Sequence, residues 1–360
     1  MSDAHTITST AAKAAIRRCF EVKRPVFLWG PPGIGKSELV ESIAKSGEFG
    51  KTHLIDLRMP LLEPTDLRGI PYYNKEISMM DWAPPVDLPS AADAAQYDTI
   101  ILFLDEMNAA APAVQASGYQ LILNRKVGKY TLPDNVVIVA AGNREGDKGV
   151  TYRMPSPLAN RFVHLEMKVD FASWFDWAVD SNVDARVIGY LQNNKSELFQ
   201  FDPSTASRAF ATPRAWSFVS DIIADDLDDQ TALNLLSGTV GDGTAIKFMA
   251  FQRVAGTMPK PDDILDGRVV KADNIDVSAM VSLNISLCYD LKERLNSIGA
   301  TDEWYEMSDR FLKFAMDNFE PEIAVMAGRI ALVNFKLPLS PGKNKSFKEF
   351  HTRFGKHILR

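Results

Sequence analysis

Three short runs of uninterrupted apolar residues mark the first half of the chain, at positions 25–29, 99–104 and 136–141. Such runs, with no polar residue at alternate positions, fit strands covered on both faces, as in a parallel sheet. Before and between them apolar residues return at helical spacing, over a leading segment at residues 8–22 and over 38–45, the latter closing near Gly47. This alternation predicts an α/β domain over residues 1–168, built on a parallel five-stranded sheet. Residues 70–89 break the pattern with Pro71, Pro84, Pro85 and Pro89, and carry Tyr72, Tyr73, Met79, Met80 and Trp82. A hairpin is expected at 72–77 and a second at 124–132. The aromatic and methionine side chains of the first either pack at its base or form a surface.

From Asp170 the pattern becomes helical, at 171–179, 184–192, 213–225 and 244–254. Residues 169–258 are expected to form an all-α lid, with the acidic stretch 221–229 a solvated helix end. A Pro/Asp-rich connection at 259–273 leads into a C-terminal helical extension, 259–360, with helices at 278–296 and 302–316. The extension ends in a basic tail bearing Lys343, Lys345, Lys348, Arg353, Lys356 and Arg360, expected to be solvated. The chain shows no internal repeat.

The chemistry sits where the apolar runs end. After the first run comes Gly30-Pro31-Pro32-Gly33-Ile34-Gly35-Lys36-Ser37, which fits the phosphate-loop template G-x-x-x-x-G-K-[ST] at every fixed position. Glycines let backbone N–H groups turn around an anion, and the helix beginning at Lys36-Ser37-Glu38 adds its positive end. Lys36 can reach the β- and γ-phosphates of a nucleoside triphosphate, and Ser37 offers a hydroxyl to Mg²⁺. The second run ends in Asp105-Glu106. Asp105 is a candidate for the Mg²⁺ shell, and Glu106 is free to orient or deprotonate an attacking water. The third run ends at Gly142-Asn143, whose amide could bond that water or the γ-phosphate. Hydrolysis of ATP is the reaction this series implies.

In their order these residues resemble the AAA+ ATPases, and within them the MoxR branch, over about residues 8–255. Asp105-Glu106-Met107-Asn108-Ala109-Ala110-Ala111-Pro112-Ala113-Val114-Gln115 is similar to the branch's D-E-I-N-R-A-P-x-x-V-Q. Glu63-Pro64-Thr65-Asp66-Leu67-Arg68-Gly69 is similar to its D-L-x-G segment, and the expected hairpins fall where the branch has its helix-2 and pre-sensor insertions. The resemblance makes Asn143 the first sensor. It places an arginine finger at Arg161 in Pro157-Leu158-Ala159-Asn160-Arg161-Phe162, with Arg153 as the fallback. Arg214, in Ala211-Thr212-Pro213-Arg214-Ala215, becomes the second sensor. Two positions depart from the branch: Ala109 stands where it has arginine and Asn160 where it has aspartate. Contacts those side chains make elsewhere do not carry over.

The resemblance implies a homo-oligomeric ring of six with nucleotide held between subunits, and a protein substrate or partner, of the kind that carries a von Willebrand factor A domain. Composition narrows the alternatives. At 360 residues the chain exceeds one ordinary core, so more than one domain is expected. No run of 18 apolar residues and no signal-peptide pattern is seen, which fits a cytoplasmic protein without a membrane span. Cys19 and Cys288 lie far apart and lack metal-ligand spacing. A formal charge of −6 argues against a general nucleic-acid clamp, so a motor or loader acting on nucleic acid is the alternative to protein remodelling. Glu106 and Arg161 argue against a module that holds ATP only as a structural ligand.

Overall fold

The apolar runs form the centre of a parallel sheet. In the computed structural model, which describes residues 5–127, 129–147, 149, 151–205, 207–225, 227–272 and 276–358, the chain divides into two compact units. One is Met1–Asp170 with Asp202–Thr205, the other Phe171–Phe201 with Ala206–Arg360. Among its described residues the first unit contains ten strands: β1 (Thr6–Ile7), β2 (Val26–Trp29), β3 (Thr52–Arg58), β4 (Ile70–Asn74), β5 (Met79–Ala83), β6 (Thr99–Asp105), β7 (Lys126–Val127), β8 (Tyr130–Thr131), β9 (Val136–Gly142) and β10 (Val163–Met167). Six make one sheet in the order β1-β10-β2-β9-β6-β3, every pair parallel. The expected count of five strands is therefore corrected to six. The extra strand, β1, is two residues long at the sheet edge, too short to show any period in the sequence.

Burial explains the apolar runs. Ile100 to Leu104 of β6 and Val136 to Ala141 of β9 are buried throughout, because helices cover both faces. The helices of this unit are α1 (Ser9–Glu21), α2 (Lys36–Lys45), α3 (Pro64–Arg68), α4 (Ala91–Ala94), α5 (Pro112–Asn124) and α6 (Ser156–Ala159). One core cluster joins Phe27, Leu102, Leu104, Ile138 and Ala140 of the sheet to Val114 and Leu121 of α5 and to Leu158 and Phe162. α2 buries Leu39, Val40 and Ile43, the apolar face its spacing predicts. The remaining strands make two hairpins, β4–β5 and β7–β8. The first is longer than the expected residues 72–77, and its turn falls at residues 75–78.

The second unit is helical: α7 (Phe171–Asp180), α8 (Ala185–Asn193), α9 (Pro213–Ile222), α10 (Asp229–Val240), α11 (Asp242–Ala255), α12 (Pro261–Leu265), α13 (Val277–Ile298), α14 (Asp302–Asn318), α15 (Pro321–Arg329) and α16 (Lys345–Ile358). α9 stops at Ile222, short of the expected Asp225, where acidic side chains would face the negative end of the helix. The acidic stretch that follows starts a new helix. Asp228 caps α10, accepting from the N–H groups of Gln230 and Thr231. The expected basic tail is helical over α16 and buries Phe347 and Phe350, while Lys345, Lys348 and Arg353 stay exposed. Among the described residues no helix is long and apolar enough to cross a membrane.

Candidate active site

At the carboxyl ends of β2, β6 and β9 the structure brings together most of the residues singled out from the sequence. β2 ends at Trp29, the loop runs from Gly30 through Pro31, Pro32, Gly33 and Ile34, and α2 starts after Gly35. Gly35 caps the helix with φ of 90° and ψ of 27°, a left-handed conformation that a side chain would strain. That turn leaves the first N–H groups of α2 facing the loop without helical partners, which is what an anion requires. Glu38, in the first turn of α2, is exposed.

Lys36 is buried, and its Nζ donates to the carbonyls of Gly30 (2.6 Å) and Pro31 (3.0 Å) and to Oδ1 of Asn143 (3.1 Å). These three neutral oxygens hold the ammonium at the loop mouth. Ser37 Oγ donates to Oδ2 of Asp105 at 3.0 Å. A hydroxyl and a carboxylate at that spacing are the hard oxygen donors that suit Mg²⁺, which keeps water and substrate phosphate as its other ligands. Among the described residues no cluster of three or more His, Cys, Asp or Glu side chains could hold a metal without such help.

Asp105 and Glu106 separate at the strand end. Asp105 is buried, and its Oδ1 accepts from the Glu106 N–H at 2.9 Å. Glu106 takes a left-handed backbone, φ 53° and ψ 34°, which is uncommon for a residue with a side chain and recurs at functional sites. The turn leaves Glu106 exposed beside a buried Asp105. One carboxylate lies among ligand oxygens and the other is open to water, so two adjacent acids occupy different environments.

Arg161 and Arg153 lie in the same unit but not in this cluster. Both are exposed, and neither side chain has a hydrogen-bond or ion-pair partner among the described residues. Arg161 follows α6, where its N–H bonds the Leu158 carbonyl. Arg214 is the second residue of α9 in the other unit, and is exposed. Two residues of the site were not singled out from the sequence. Asn108 is buried and donates from Nδ2 to the Asn143 carbonyl at 2.7 Å. Asp56 lies on β3, two residues before Arg58, which pairs in register with Asp105. Its carboxyl is raised above the ordinary value, first by loss of solvent and then by the Asp105 charge. Asn108 does have a local signal, since it stands two residues after Glu106 within the segment similar to D-E-I-N-R-A-P-x-x-V-Q, whereas Asp56 has none and is brought to the site by the pairing of β3 with β6.

Residues 26–168 match the family model described as "ATPase family associated with various cellular activities (AAA)". This segment is an AAA ATPase domain. It binds nucleotide, and ATP hydrolysis is its chemistry. The AAA domain covers the loop, the acid pair, Asn143 and Arg161, and stops before the helical unit. Among curated proteins the chain is similar to Midasin of Giardia intestinalis, 25% identical over 209 residues. That match spans 54% of this chain and 4% of the length of Midasin. Among solved structures it is similar to a mutant of RuvB from Thermotoga maritima, at 17% identity and a TM-score of 0.38 over 85% of this chain and 88% of that one. NtrX from Brucella abortus in complex with ADP is similar at 14% identity and a TM-score of 0.37, over 82% and 70% of the two chains.

Proposed function

We propose that this chain is a ring-forming ATPase of the MoxR type that uses Mg²⁺-dependent ATP hydrolysis to remodel or activate a partner protein. Lys36 and the backbone N–H groups of residues 33–38 bind the β- and γ-phosphates, with Gly30, Pro31 and Pro32 shaping the loop. Ser37 and Asp105 would hold Mg²⁺, which would supply positive charge to the phosphates. Glu106 orients the attacking water and takes its proton, and Asn143 positions the γ-phosphate end of the site. Arg161 stabilises charge developing on a neighbour's γ-phosphate, a role that suits an exposed guanidinium with no partner among the described residues of its own subunit. Arg214 keeps the second-sensor role that the MoxR resemblance gives it. A closed head-to-tail assembly, six subunits by that resemblance, is what a finger acting in trans requires.

The β4–β5 hairpin supports work on a protein. Tyr73, Met79 and Met80 are about 60% exposed, and Tyr72 and Trp82 about 40%. Adaptable apolar side chains displayed together suit contact with varied protein surface, and a partner with a von Willebrand factor A domain is the class the resemblance suggests. The acidic net charge of −6 fits the same reading and a cytoplasmic setting. The test is basal ATPase rate measured alone, with duplex and single-stranded DNA, and with a purified von Willebrand-type partner. Stimulation by the protein is expected. Stimulation by DNA alone would replace remodelling with a nucleic-acid motor.

A further inference from the structure

Asn108 joins three parts of the AAA domain that are far apart in sequence. It lies in the short 3₁₀ turn after the acid pair and is 2% exposed. Its Nδ2 donates to the Asn143 carbonyl at 2.7 Å. Its own carbonyl accepts from the N–H of Tyr152 at 2.7 Å, in the segment that precedes Arg153 and leads to Arg161. Asn143 in turn accepts the Lys36 ammonium through Oδ1, at 3.1 Å. One chain of bonds therefore runs from the phosphate loop through Asn143 and Asn108 to the arginine-bearing segment.

The packing leaves the Asn108 amide one position. Its Oδ1 is buried without a hydrogen-bond partner and lies against the Cα of Gly142. A Cβ on Gly142 would sit 2.2 Å from that oxygen and 2.9 Å from Cζ of Phe27. Glycine at 142 is thus what admits the amide. Leaving a carbonyl oxygen buried and unbonded is unfavourable, because its lost hydration is not replaced. A smaller apolar residue would avoid that penalty and would also lose the bond to Asn143. Asparagine at this position costs stability locally and gains a fixed sensor backbone.

We propose that Asn108 is a positioning residue for ATP hydrolysis, fixing Asn143 against Lys36 and tying that sensor to the segment bearing Arg153 and Arg161. The inference rests on the proposed role of Asn143, so Asn143→Ala is the control. Asn108→Asp keeps size and shape but replaces the donor with an oxygen facing the Asn143 carbonyl, and Asn108→Ala removes the amide. Both are measured for ATP affinity, kcat and KM, and melting temperature. Expected is ATP affinity within about threefold of the parent and kcat lower by about tenfold or more, one lost hydrogen bond being near one power of ten. Asn108→Ala is expected to melt no lower than Asn108→Asp, since it removes the unbonded oxygen. Gly142→Ala should lose kcat as well, and adding Asn108→Ala should recover part of its melting temperature, the close contact with Phe27 remaining, but not its rate. Full kcat in Asn108→Asp alongside a large loss in Asn143→Ala overturns the inference and leaves the Asn143 role standing. Full kcat in Asn143→Ala removes that role and the inference together. If neither Asn108 variant folds, the residue is architectural and the inference fails.

Discussion

At the residue scale, two side chains that serve the same phosphates should fail in different ways. Lys36 is buried at the loop mouth, and in the proposed site its ammonium meets the phosphates before any bond is broken. Glu106 is exposed at a left-handed turn, and its proposed action is on water, whose proton moves only during reaction. Interactions present in the ground state set affinity, and those made only in the transition state set kcat. Lys36→Ala should therefore weaken ATP binding by about ten- to a hundredfold, the worth of charged hydrogen bonds. Glu106→Gln should bind ATP normally and lose about a hundredfold or more in kcat. Titration with a fluorescent ATP analogue and single-turnover hydrolysis separate the two. Equal loss of binding in both variants would contradict the assigned roles.

Elements, unlike side chains, were legible in proportion to how far their own residues determine them. The strands at the sheet centre could be read because burial on both faces demands an unbroken apolar run, as in Ile100 to Leu104. The phosphate loop could be read because its glycines, lysine and serine are consecutive. β1 could not, since two residues at an edge carry no period, and α10 was hidden because its Asp228 cap looks like solvated acid. Asp56 reaches the site through strand pairing, which no local spacing records, and Asn108, although inside the motif that follows the acid pair, bonds Asn143 from 35 residues away. The β4–β5 hairpin was legible as an insertion, but the exposure of its aromatic residues was not. A lone two-stranded hairpin is marginal in water, so something must hold it. Lys129 Nζ pairs with Asp81 Oδ1 at 2.6 Å, Asn74 Nδ2 donates to Asp81 at 3.4 Å, and Tyr130 Oη donates to the Pro89 carbonyl at 2.7 Å. The Lys129 ammonium holds the Asp81 carboxyl below its ordinary pKa. The second hairpin thus braces the first at one strand and at its base, leaving the apolar side chains outward. Replacing residues 73–81 with a short glycine linker should leave ATP binding and assembly nearly intact and abolish stimulation by the partner. Ring size by light scattering, basal rate and stimulated rate, measured together, give the answer. Rings that fall apart while subunits still fold would make the hairpin an assembly element.

For the whole molecule the decisive question is whether one subunit completes its neighbour's site. The Arg161 side chain is exposed and makes no hydrogen bond or ion pair among the described residues of its own chain, which is how a guanidinium destined for another subunit would present itself. A finger of this kind stabilises charge on the transferring phosphoryl group and is worth about 10³-fold or more in rate. Arg161→Ala should then keep ATP affinity and lose about that factor in kcat. Glu106→Gln has the complementary defect, an intact finger beside a site that cannot activate water. In mixed assemblies some interfaces pair the intact Glu106 of an Arg161→Ala subunit with the Arg161 of a Glu106→Gln neighbour, and those interfaces are complete. Activity should therefore rise when two nearly inactive proteins are mixed, passing through a maximum near equal proportions. An arginine acting on its own subunit's nucleotide predicts no such rise, because every subunit then lacks one necessary group. Arg153→Ala run in the same titration decides which of the two exposed arginines is responsible. A rise that depends on total protein concentration would further tie the effect to closed head-to-tail contact, since dilution breaks the shared site before it unfolds either chain.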